Sequence, residues 1–202
     1  MMKIIIFDTE TTGLPDPNSP LEKQPYICQF SACIVEIDLN TKEFKEIEQV
    51  NQYLKPEVLI PYECTRIHGI TNEMVQDKQS FKEYANELIT LFQKCDVAIA
   101  HNLNFDQTII ENELRRIGRS KSFLPEQTFD TMDETKELLK LPGRFSRYKS
   151  PNLGELHFYL TGETFANAHN ALNDVMALTR CVKELFRRDI FKPEEKDQSS
   201  LF

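Results

Sequence analysis

The most constraining stretch of the chain is IIIFDTETTGL, at residues 4–14, where an unbroken apolar run meets two carboxylates. Because the apolar residues do not alternate with polar ones, the run predicts a first strand over residues 3–8 that is buried on both faces. Asp8 and Glu10 are two positions apart, so at the end of a strand they point the same way. The chain should therefore fold around a covered strand and hold two acids at its end.

Length and composition are those of a globular protein with one core. The 202 residues are 40% hydrophobic and 28% charged, and no apolar run approaches the length that crosses a bilayer. The N-terminus lacks the basic and apolar segments of a secretory signal, and the five cysteines, without a CxxC pair, are interpreted as reduced thiols. These features predict a cytoplasmic protein with no membrane partner.

The formal net charge of -8 argues against a protein that coats duplex DNA by electrostatic attraction. It does not exclude a nuclease, because clustered catalytic acids add negative charge and bound divalent cations offset it locally. Tight unassisted binding of long nucleic acid is not expected.

Three strands in sequence are followed by alternating helices and strands. The first three, at residues 3–8, 26–38 and 44–54, are expected to be antiparallel neighbours. The later elements are a helix capped at Ser80, a strand at 96–102, a helix at 105–118, a strand at 127–131, and helices at 132–141, 152–160 (with a capped start at Ser150 and Pro151) and 168–188. The pattern predicts an α/β fold with a mixed five-stranded sheet, its first three strands antiparallel, flanked by helices.

One domain is predicted over residues 1–188, with no repeat and no internal boundary. After Arg188 the chain becomes polar, charged and proline-interrupted, so residues 189–202 are predicted to form a flexible tail. Four prolines in the segment 15–25 forbid regular structure there, and this loop could border a site or be decoration.

Further polar residues lie near the ends of later elements. Asp106 lies in the first turn of a helix that follows a strand, where an aspartate usually only compensates the helix dipole. His169 and Asp174 are placed at the start and the second turn of the last helix. Each has an ordinary structural explanation, as an acidic turn explains Asp8 and Glu10. Together they fit one cleft, because acids at the carboxyl ends of neighbouring strands converge at one edge of a sheet.

Four acids and one histidine are the components that a two-metal hydrolase needs. Carboxylate oxygens suit Mg2+ or Mn2+, and several of them can hold two ions roughly 3.5–4 Å apart. Histidine is suited to deprotonate water because its pKa lies near neutrality. The sequence therefore favours two divalent metal ions, Mg2+ or Mn2+, as cofactors.

At these positions the chain resembles the DEDDh, or DnaQ-like, family of 3′–5′ exonucleases. FDTETTGL is similar to the family's first motif, AHNLNFD to its second, and HNALND to its third, with histidine and aspartate at the HxxxxD spacing. RIHGIT at residues 66–71 resembles the loop after the third strand, and FDT at 129–131 another recurring piece. The resemblance covers residues 3 to about 186 and implies a ribonuclease H-like fold.

The resemblance also implies a role for each residue of the site. Asp8, Glu10 and Asp174 would hold the metal ion that binds the attacking water. Asp8 and Asp106 would hold the second ion, near the leaving oxygen, and His169 would be the general base. The implied reaction is hydrolysis of the terminal phosphodiester, which releases nucleoside 5′-monophosphates.

A second set of residues would contact the terminal nucleotide of the substrate. These are Thr11, Gly13, Leu14, Glu63, His68 and Phe105. The first three would pack beside the sugar and base. Glu63 could equally be a surface acid, and His68 a capping or turn residue.

The segment KLPGRFSRYKS, at residues 140–150, interleaves four basic residues with two aromatic ones. Such a segment suits a single nucleic-acid strand, through phosphate contacts and base stacking. An ordinary solvated loop explains it equally well.

The chain ends in QSSLF, which resembles the peptide with which bacterial polymerases and repair proteins bind the sliding clamp. Gln198, Leu201 and Phe202 match its anchoring positions, whereas Ser199 departs from the commoner leucine. A disordered tail that ends in two large apolar residues favours a pocket on a partner. A sliding clamp is therefore a candidate partner, whose tethering would compensate for weak affinity for DNA.

The leading functional prediction is a metal-dependent 3′–5′ exonuclease that acts on a single-stranded or frayed 3′ end of DNA. It would work in proofreading or repair, with a DNA polymerase as a candidate partner. An RNA-trimming exoribonuclease of the same fold is the alternative within the family, because the metal site ignores the 2′-OH. A non-catalytic, clamp-tethered interaction module is the alternative of another class, which the intact acids and base disfavour.

Overall fold

A mixed five-stranded sheet forms the centre of the molecule. The computed structural model describes residues 1–119, 122–144, 147–165 and 170–194. The strands are β1 (Met2–Thr11), β2 (Ile27–Ile37), β3 (Phe44–Tyr53), β4 (Val97–Ala100) and β5 (Gln127–Asp130), in the spatial order β3-β2-β1-β4-β5. β1, β2 and β3 pair antiparallel, whereas β4 is parallel to both β1 and β5. The predicted α/β fold and its mixed sheet are confirmed.

β1 extends further than the predicted residues 3–8 and carries both Asp8 and Glu10 within the strand. Its pairing with β4 covers residues 4–6, whereas its pairing with β2 continues to Thr11. The second half of β1 therefore projects beyond β4 at the carboxyl edge of the parallel strands. Ligands of α/β proteins bind at edges of this kind.

Helices cover the sheet. They are α1 (Tyr62–His68), α2 (Asn72–Val75), α3 (Phe81–Gln93), α4 (Leu103–Arg116), α5 (Thr131–Glu134), α6 (Lys136–Leu139), α7 (Leu153–Thr161) and α8 (Ala171–Arg187). α3 begins at Ser80 with the predicted capping box, in which Ser80 and Glu83 bond each other's backbone N–H groups.

Alternate residues of β1 supply two hydrophobic layers, one on each face of the sheet. Ile5 and Phe7 pack in the layer that contains α3 and α4, and Ile4 and Ile6 pack in the layer that contains α7 and α8. All four side chains are fully buried, so the predicted burial of the strand on both faces is confirmed. α8 presents the predicted buried stripe of Ala171, Val175, Leu178, Val182 and Leu185.

The prediction of one continuous helix over residues 132–141 was wrong, because the chain forms the two short helices α5 and α6. They separate at Thr135, whose backbone leaves the helical range (φ -102, ψ 2) and whose hydroxyl donates to the Thr131 carbonyl at 2.6 Å. This bond offers the backbone an alternative to a continuous helix. α6 ends before Pro142, because Lys140 adopts a left-handed conformation with φ 49.

Two further boundaries differ from the sequence prediction. α7 is capped by Asn152, which forms a capping box with Glu155, instead of starting at Ser150 and Pro151. Residues 66–68, predicted as a loop, are the last turn of α1. Gly69 ends this helix with φ 76, a conformation that glycine adopts without strain.

Residues 189–194, which composition assigns to the tail, pack against the domain. Phe191 is 3% exposed, and its ring lies 4.8 Å from that of Phe129. The side chain of Gln127 exchanges two hydrogen bonds with the backbone of Glu194, at 2.7 and 3.0 Å. Phe191 and its neighbour Ile190 hold this mostly polar segment on the core, and average composition does not reveal them.

All five cysteines are free thiols. Burial raises the pKa of the Cys33 thiol to about 11, and a protonated thiol is inert as a nucleophile or metal ligand. None of the described helices combines the length and the apolar character needed to cross a membrane.

Candidate metal centre

Three carboxylates from opposite ends of the chain meet at the carboxyl edge of the sheet. Asp8 and Glu10 come from β1 and Asp174 comes from α8, and their ligand oxygens lie within 4.8 Å of one another. Asp8 and Glu10 share one face because successive side chains of a strand alternate. The structure thus brings together three of the acids that the sequence singled out.

Asp174 lies in the first turn of α8, not in the second turn as the sequence indicated. The helix begins at Ala171 because Asn170 caps it. The Asn170 side chain accepts the Asn173 N–H at 3.4 Å, and its carbonyl accepts the Asp174 N–H at 3.0 Å. Buried Ala171 and Val175 pack this end of the helix on the sheet, which directs the carboxylate towards β1.

Asp106 reaches the same edge from α4 and is joined to β1 through Thr9. The Thr9 N–H and hydroxyl both donate to Asp106 Oδ1, at 2.9 and 2.7 Å. Asp106 is 1% exposed, so without these donors its burial would be costly. Because Thr9 lies between Asp8 and Glu10, the two bonds fix Asp106 relative to both acids.

Burial and neighbouring negative charges raise the pKa values of Asp8 and Glu10. Burial raises the pKa of Asp8 well above its usual range, and the charges of Asp106, Glu10 and Asp174 raise it further. Burial, followed by the charges of Asp174 and Asp106, raises the pKa of Glu10 to about 8. Burial raises the pKa of Asp106 to about 7, although the bonds from Thr9 lower it. A divalent cation at the cluster would reverse these effects, and hard oxygen donors of this kind suit Mg2+ or Mn2+.

Asp130, at the end of β5, caps the helix that carries Asp106. Its carboxylate accepts the Asn102 N–H at 3.0 Å and the Leu103 N–H at 2.8 Å. Asn102 itself is left-handed (φ 77) and makes no side-chain cap. Sequence reasoning missed this role, although FDT at 129–131 had been noted as a recurring motif. A cap supplied from a neighbouring strand leaves no local signal in the helix.

His101, at the end of β4, joins this strand through hydrogen bonds to the start of α5 and to the segment before α7. Its Nδ1 lies 3.0 Å from Thr131 Oγ1, and its Nε2 donates to the Pro151 carbonyl at 3.0 Å. Burial lowers the pKa of His101, which keeps the ring neutral at physiological pH. The sequence offered no signal for this role beyond the position of His101 in the AHN motif.

The bond to Pro151 attaches the residue that follows the basic segment 140–150 to the end of β4. Lys140, Arg144, Arg147 and Tyr148 are exposed, and Lys149 pairs with Glu155. Residues 145 and 146 lie outside the described residues. Binding of a nucleic-acid strand by this segment therefore stays a prediction.

Thr11, Gly13 and Leu14, predicted to contact the terminal nucleotide, form the turn that follows the acids. The Thr11 hydroxyl donates to the Gly13 carbonyl at 2.6 Å. The Leu14 side chain is 81% exposed directly after this turn. Phe105, also predicted as a contact, precedes Asp106 in α4 and packs against the core.

Glu63 and His68, predicted as further nucleotide contacts, lie on α1. Glu63 is exposed in its first turn, whereas His68 is buried in its last. His68 Nδ1 accepts the Ile70 N–H at 3.1 Å. Burial lowers the pKa of His68, against the effect of a hydrogen bond to the Thr11 backbone. His68 therefore holds the turn after α1 against the site, which is the turn role that the sequence left open.

The predicted general base, His169, lies outside the described residues, between Phe165 and Asn170. The predicted clamp contacts also lie outside them; they are Gln198, Leu201 and Phe202. The roles of all four stay predictions.

Comparison with known proteins supplies a family. A family model for exonucleases, RNase_T, matches residues 5–182. The chain is 33% identical over 156 residues to the 3′-5′ exonuclease DinG of Bacillus subtilis, an alignment that covers 76% of this chain and 15% of DinG. It is 30% identical over 233 residues to the DNA polymerase III subunit epsilon of Rickettsia prowazekii, covering 97% of this chain and 92% of that subunit.

A solved structure shares the fold. The nuclease domain of 3′hExo, a DEDDh family member, bound to rAMP, matches with a TM-score of 0.71 at 16% identity, covering 96% of this chain and 97% of that one. The mixed sheet with its flanking helices is therefore the ribonuclease H-like fold of such exonucleases. Because this chain spans a small part of DinG, the activity of that whole protein is not assigned to it.

Proposed function

The chain belongs to the exonuclease family described by the RNase_T model, and we propose that its substrate is a single-stranded or frayed 3′ end of DNA, in proofreading or repair. Membership makes it a 3′–5′ exonuclease, and enzymes of this family use two divalent metal ions. The observation that carries the nuclease site in this proposal is the meeting of the Asp8, Glu10 and Asp174 oxygens within 4.8 Å of one another. The choice of DNA rests on the relative that is named as a DNA polymerase III subunit.

In this proposal Asp8, Glu10 and Asp174 would hold one ion, and Asp8 with Asp106 would hold the other. Ions in such a site lower the pKa of water and stabilise the leaving oxygen of the terminal phosphodiester. Thr9 keeps the Asp106 carboxylate oriented and favours its charged form by donating two hydrogen bonds. His169 takes the proton from the attacking water, and the product is a nucleoside 5′-monophosphate.

DNA is favoured as the substrate by a relative whose whole length this chain nearly covers. That relative is named as a subunit of DNA polymerase III and aligns over 92% of its length. The similarity extends the proposal to association with a DNA polymerase and to a place in the cytoplasm. The tail residues 198–202 would add binding to a sliding clamp.

RNA trimming is the second candidate, because the structural neighbour 3′hExo was solved with rAMP. The carboxylate cluster does not distinguish the two substrates, since metal ions contact phosphate oxygens and the attacking water. In this proposal the turn of Thr11, Gly13 and Leu14 contacts the sugar and carries any preference, which its position directly after the acids of β1 supports.

The test compares DNA and RNA oligonucleotides of one sequence, labelled at the 3′ or the 5′ end, in Mn2+. The expected first product is a labelled mononucleotide from the 3′-labelled DNA, formed faster than from RNA. Asp8→Ala should abolish it, whereas Glu87→Ala, at an exposed acid of α3, should not. Full activity in Asp8→Ala would reject the site, and faster hydrolysis of RNA would reject the choice of DNA.

A further inference from the structure

The proline-rich loop between β1 and β2, residues 13–25, is closed at its base. The Thr12 N–H donates to the Tyr26 carbonyl at 2.9 Å, and the Tyr26 N–H donates to Thr12 Oγ1 at 2.9 Å. The two ends of the loop therefore leave the sheet side by side. The sequence could not decide whether this loop borders the site or is decoration.

The interior of the loop is filled by one polar side chain. Gln24 is 7% exposed, and its Nε2 donates to the carbonyls of Asp16 and Ser19 at 2.6 and 2.7 Å. Its Oε1 accepts the Asp16 N–H at 3.1 Å. A loop whose backbone groups are satisfied from inside has one preferred conformation.

Arg116, at the end of α4, binds the loop from the side of the domain. Its guanidinium donates to three carbonyls, those of Pro25 and Leu21 at 3.1 Å and that of Gln24 at 2.6 Å. The same group lies 3.7 Å from the centre of the Tyr26 ring. A planar group with five donors can make such a set, whereas the ammonium group of lysine cannot.

Glu113 completes this attachment. It pairs with Arg116 at 3.1 Å and accepts the Ile27 N–H at 2.9 Å, and both side chains are almost completely buried. A buried ion pair is costly unless its remaining hydrogen-bonding groups are satisfied. Both Glu113 oxygens and both terminal nitrogens of Arg116 have partners among the described residues, whereas Arg116 Nε has none. The pair therefore attaches α4 to the start of β2 in the interior of the protein and is not a surface contact.

α4 is attached to the β1–β2 region at both of its ends. Asp106 in its first turn binds Thr9, and Arg116 at its last residue binds the loop. The position of the loop is therefore tied to the same rigid helix that places Asp106 at the metal centre.

The chain of contacts ends at Gly13, the residue before Leu14. A Cβ built on Gly13 would lie 3.9 Å from Pro25 Cβ, so Gly13 lies close to the residue whose carbonyl Arg116 binds. Leu14 follows and is 81% exposed, four residues after Glu10. Removing a large apolar side chain from water is favourable, so an exposed one beside a polar site favours binding of an apolar surface such as a nucleobase.

We propose that Arg116 is a positioning residue for substrate binding, which holds Leu14 as a fixed apolar rim against the base of the terminal nucleotide. The inference rests on the proposed function, since it requires a nucleotide end at the metal centre. Leu14 makes the contact, and Arg116 acts through the loop.

The test measures kcat and KM for a 3′-labelled oligonucleotide in a double-mutant cycle of Arg116→Lys and Leu14→Ala. Arg116→Lys is expected to raise KM about tenfold with little change in kcat, because ground-state binding is lost and the reacting groups are untouched. In the Leu14→Ala background the same substitution should change KM less than about twofold, because the apolar side chain that Arg116 is proposed to position is already absent.

Arg115→Lys is the matched control, since Arg115 is the neighbouring residue of α4, is 60% exposed and forms a surface ion pair with Glu111. It should leave KM unchanged. Gln24→Ala replaces Arg116→Lys if the latter does not fold, and it should show the same dependence on Leu14.

An equal KM increase in both backgrounds, or no increase in a folded variant, would overturn the inference while hydrolysis remains sensitive to Asp8→Ala. Absence of Asp8-dependent hydrolysis in the unsubstituted protein would instead overturn the proposed function.

Discussion

The backbone N–H and the side-chain hydroxyl of Thr9 both donate hydrogen bonds to Asp106 Oδ1, although the two residues are 97 positions apart in the chain. Thr9 is part of the strand that carries Asp8 and Glu10, and Asp106 is part of α4. The contact therefore sets the distance between acids that come from different elements. It also opposes the effect of burial on the pKa of Asp106.

Replacing Thr9 by valine keeps the shape of the side chain and removes the hydroxyl. We expect the pKa of Asp106 to rise, so that the acid limb of the pH–rate profile moves to higher pH. Activity at neutral pH should fall about tenfold, as for other groups that orient metal ligands. Thr9→Ser keeps the donor and should retain the original profile. An unchanged acid limb in Thr9→Val would show that the hydroxyl does not influence Asp106.

The metal-free protein should lose stability as the pH rises. Glu10 has a pKa of about 8 in the folded protein and 4.5 ordinarily, so between these values the folded state binds more protons than the unfolded state. Stability is then fully present below pH 4.5 and is lost as the pH rises through about 8. Mn2+ should remove the decline, because it stabilises the carboxylates.

Thermal unfolding in EDTA, measured in steps across this pH range with and without Mn2+, checks this prediction. Glu10→Gln should show a smaller decline than the unsubstituted protein. A metal-free melting temperature that stays level or rises with pH would contradict the raised pKa values.

His169→Ala should separate proton transfer from metal binding. If His169 is the general base, kcat should fall by about 10²–10⁴-fold while Mn2+ affinity is retained. Asp174→Asn should weaken both, because Asp174 belongs to the carboxylate cluster. Calorimetric titration with Mn2+, together with single-turnover hydrolysis, measures the two effects. Equal loss of metal binding in both variants would assign His169 to the metal site instead.

Deletion of residues 198–202 should abolish co-purification with a bacterial sliding clamp and leave hydrolysis of short oligonucleotides intact. Tethering raises the effective concentration of a long substrate and does not alter the chemistry of the site. Replacing Ser199 and Ser200 by alanine preserves the apolar anchors and serves as the control. Undiminished clamp binding after the deletion would show that residues 198–202 are not the clamp-binding segment.

Much of the fold was readable from local pattern. The unbroken apolar run of β1 predicted a strand covered on both faces, and Ile4 to Phe7 are fully buried. The capping box at Ser80 and the apolar stripe of α8 were read correctly because both depend on spacing within one helix. The break at Thr135 was missed because it depends on one local hydrogen bond. The burial of Phe191 was missed because it depends on Phe129 and the core around α8, which local pattern does not reveal.

Residue types and their order were enough to single out Asp8, Glu10, Asp106 and Asp174 as candidate ligands, because three motifs that resemble those of the exonuclease family carry them in order. The orientation of these carboxylate side chains could not be predicted from the sequence. Thr9, His101, Asp130 and Arg116 act on partners that are remote in sequence, and hydrogen bonds of this kind depend on distances and angles that appear when the sheet and α4 pack. The chain encodes its strands, helices and reactive groups locally, whereas the geometry that joins them into a site arises from packing.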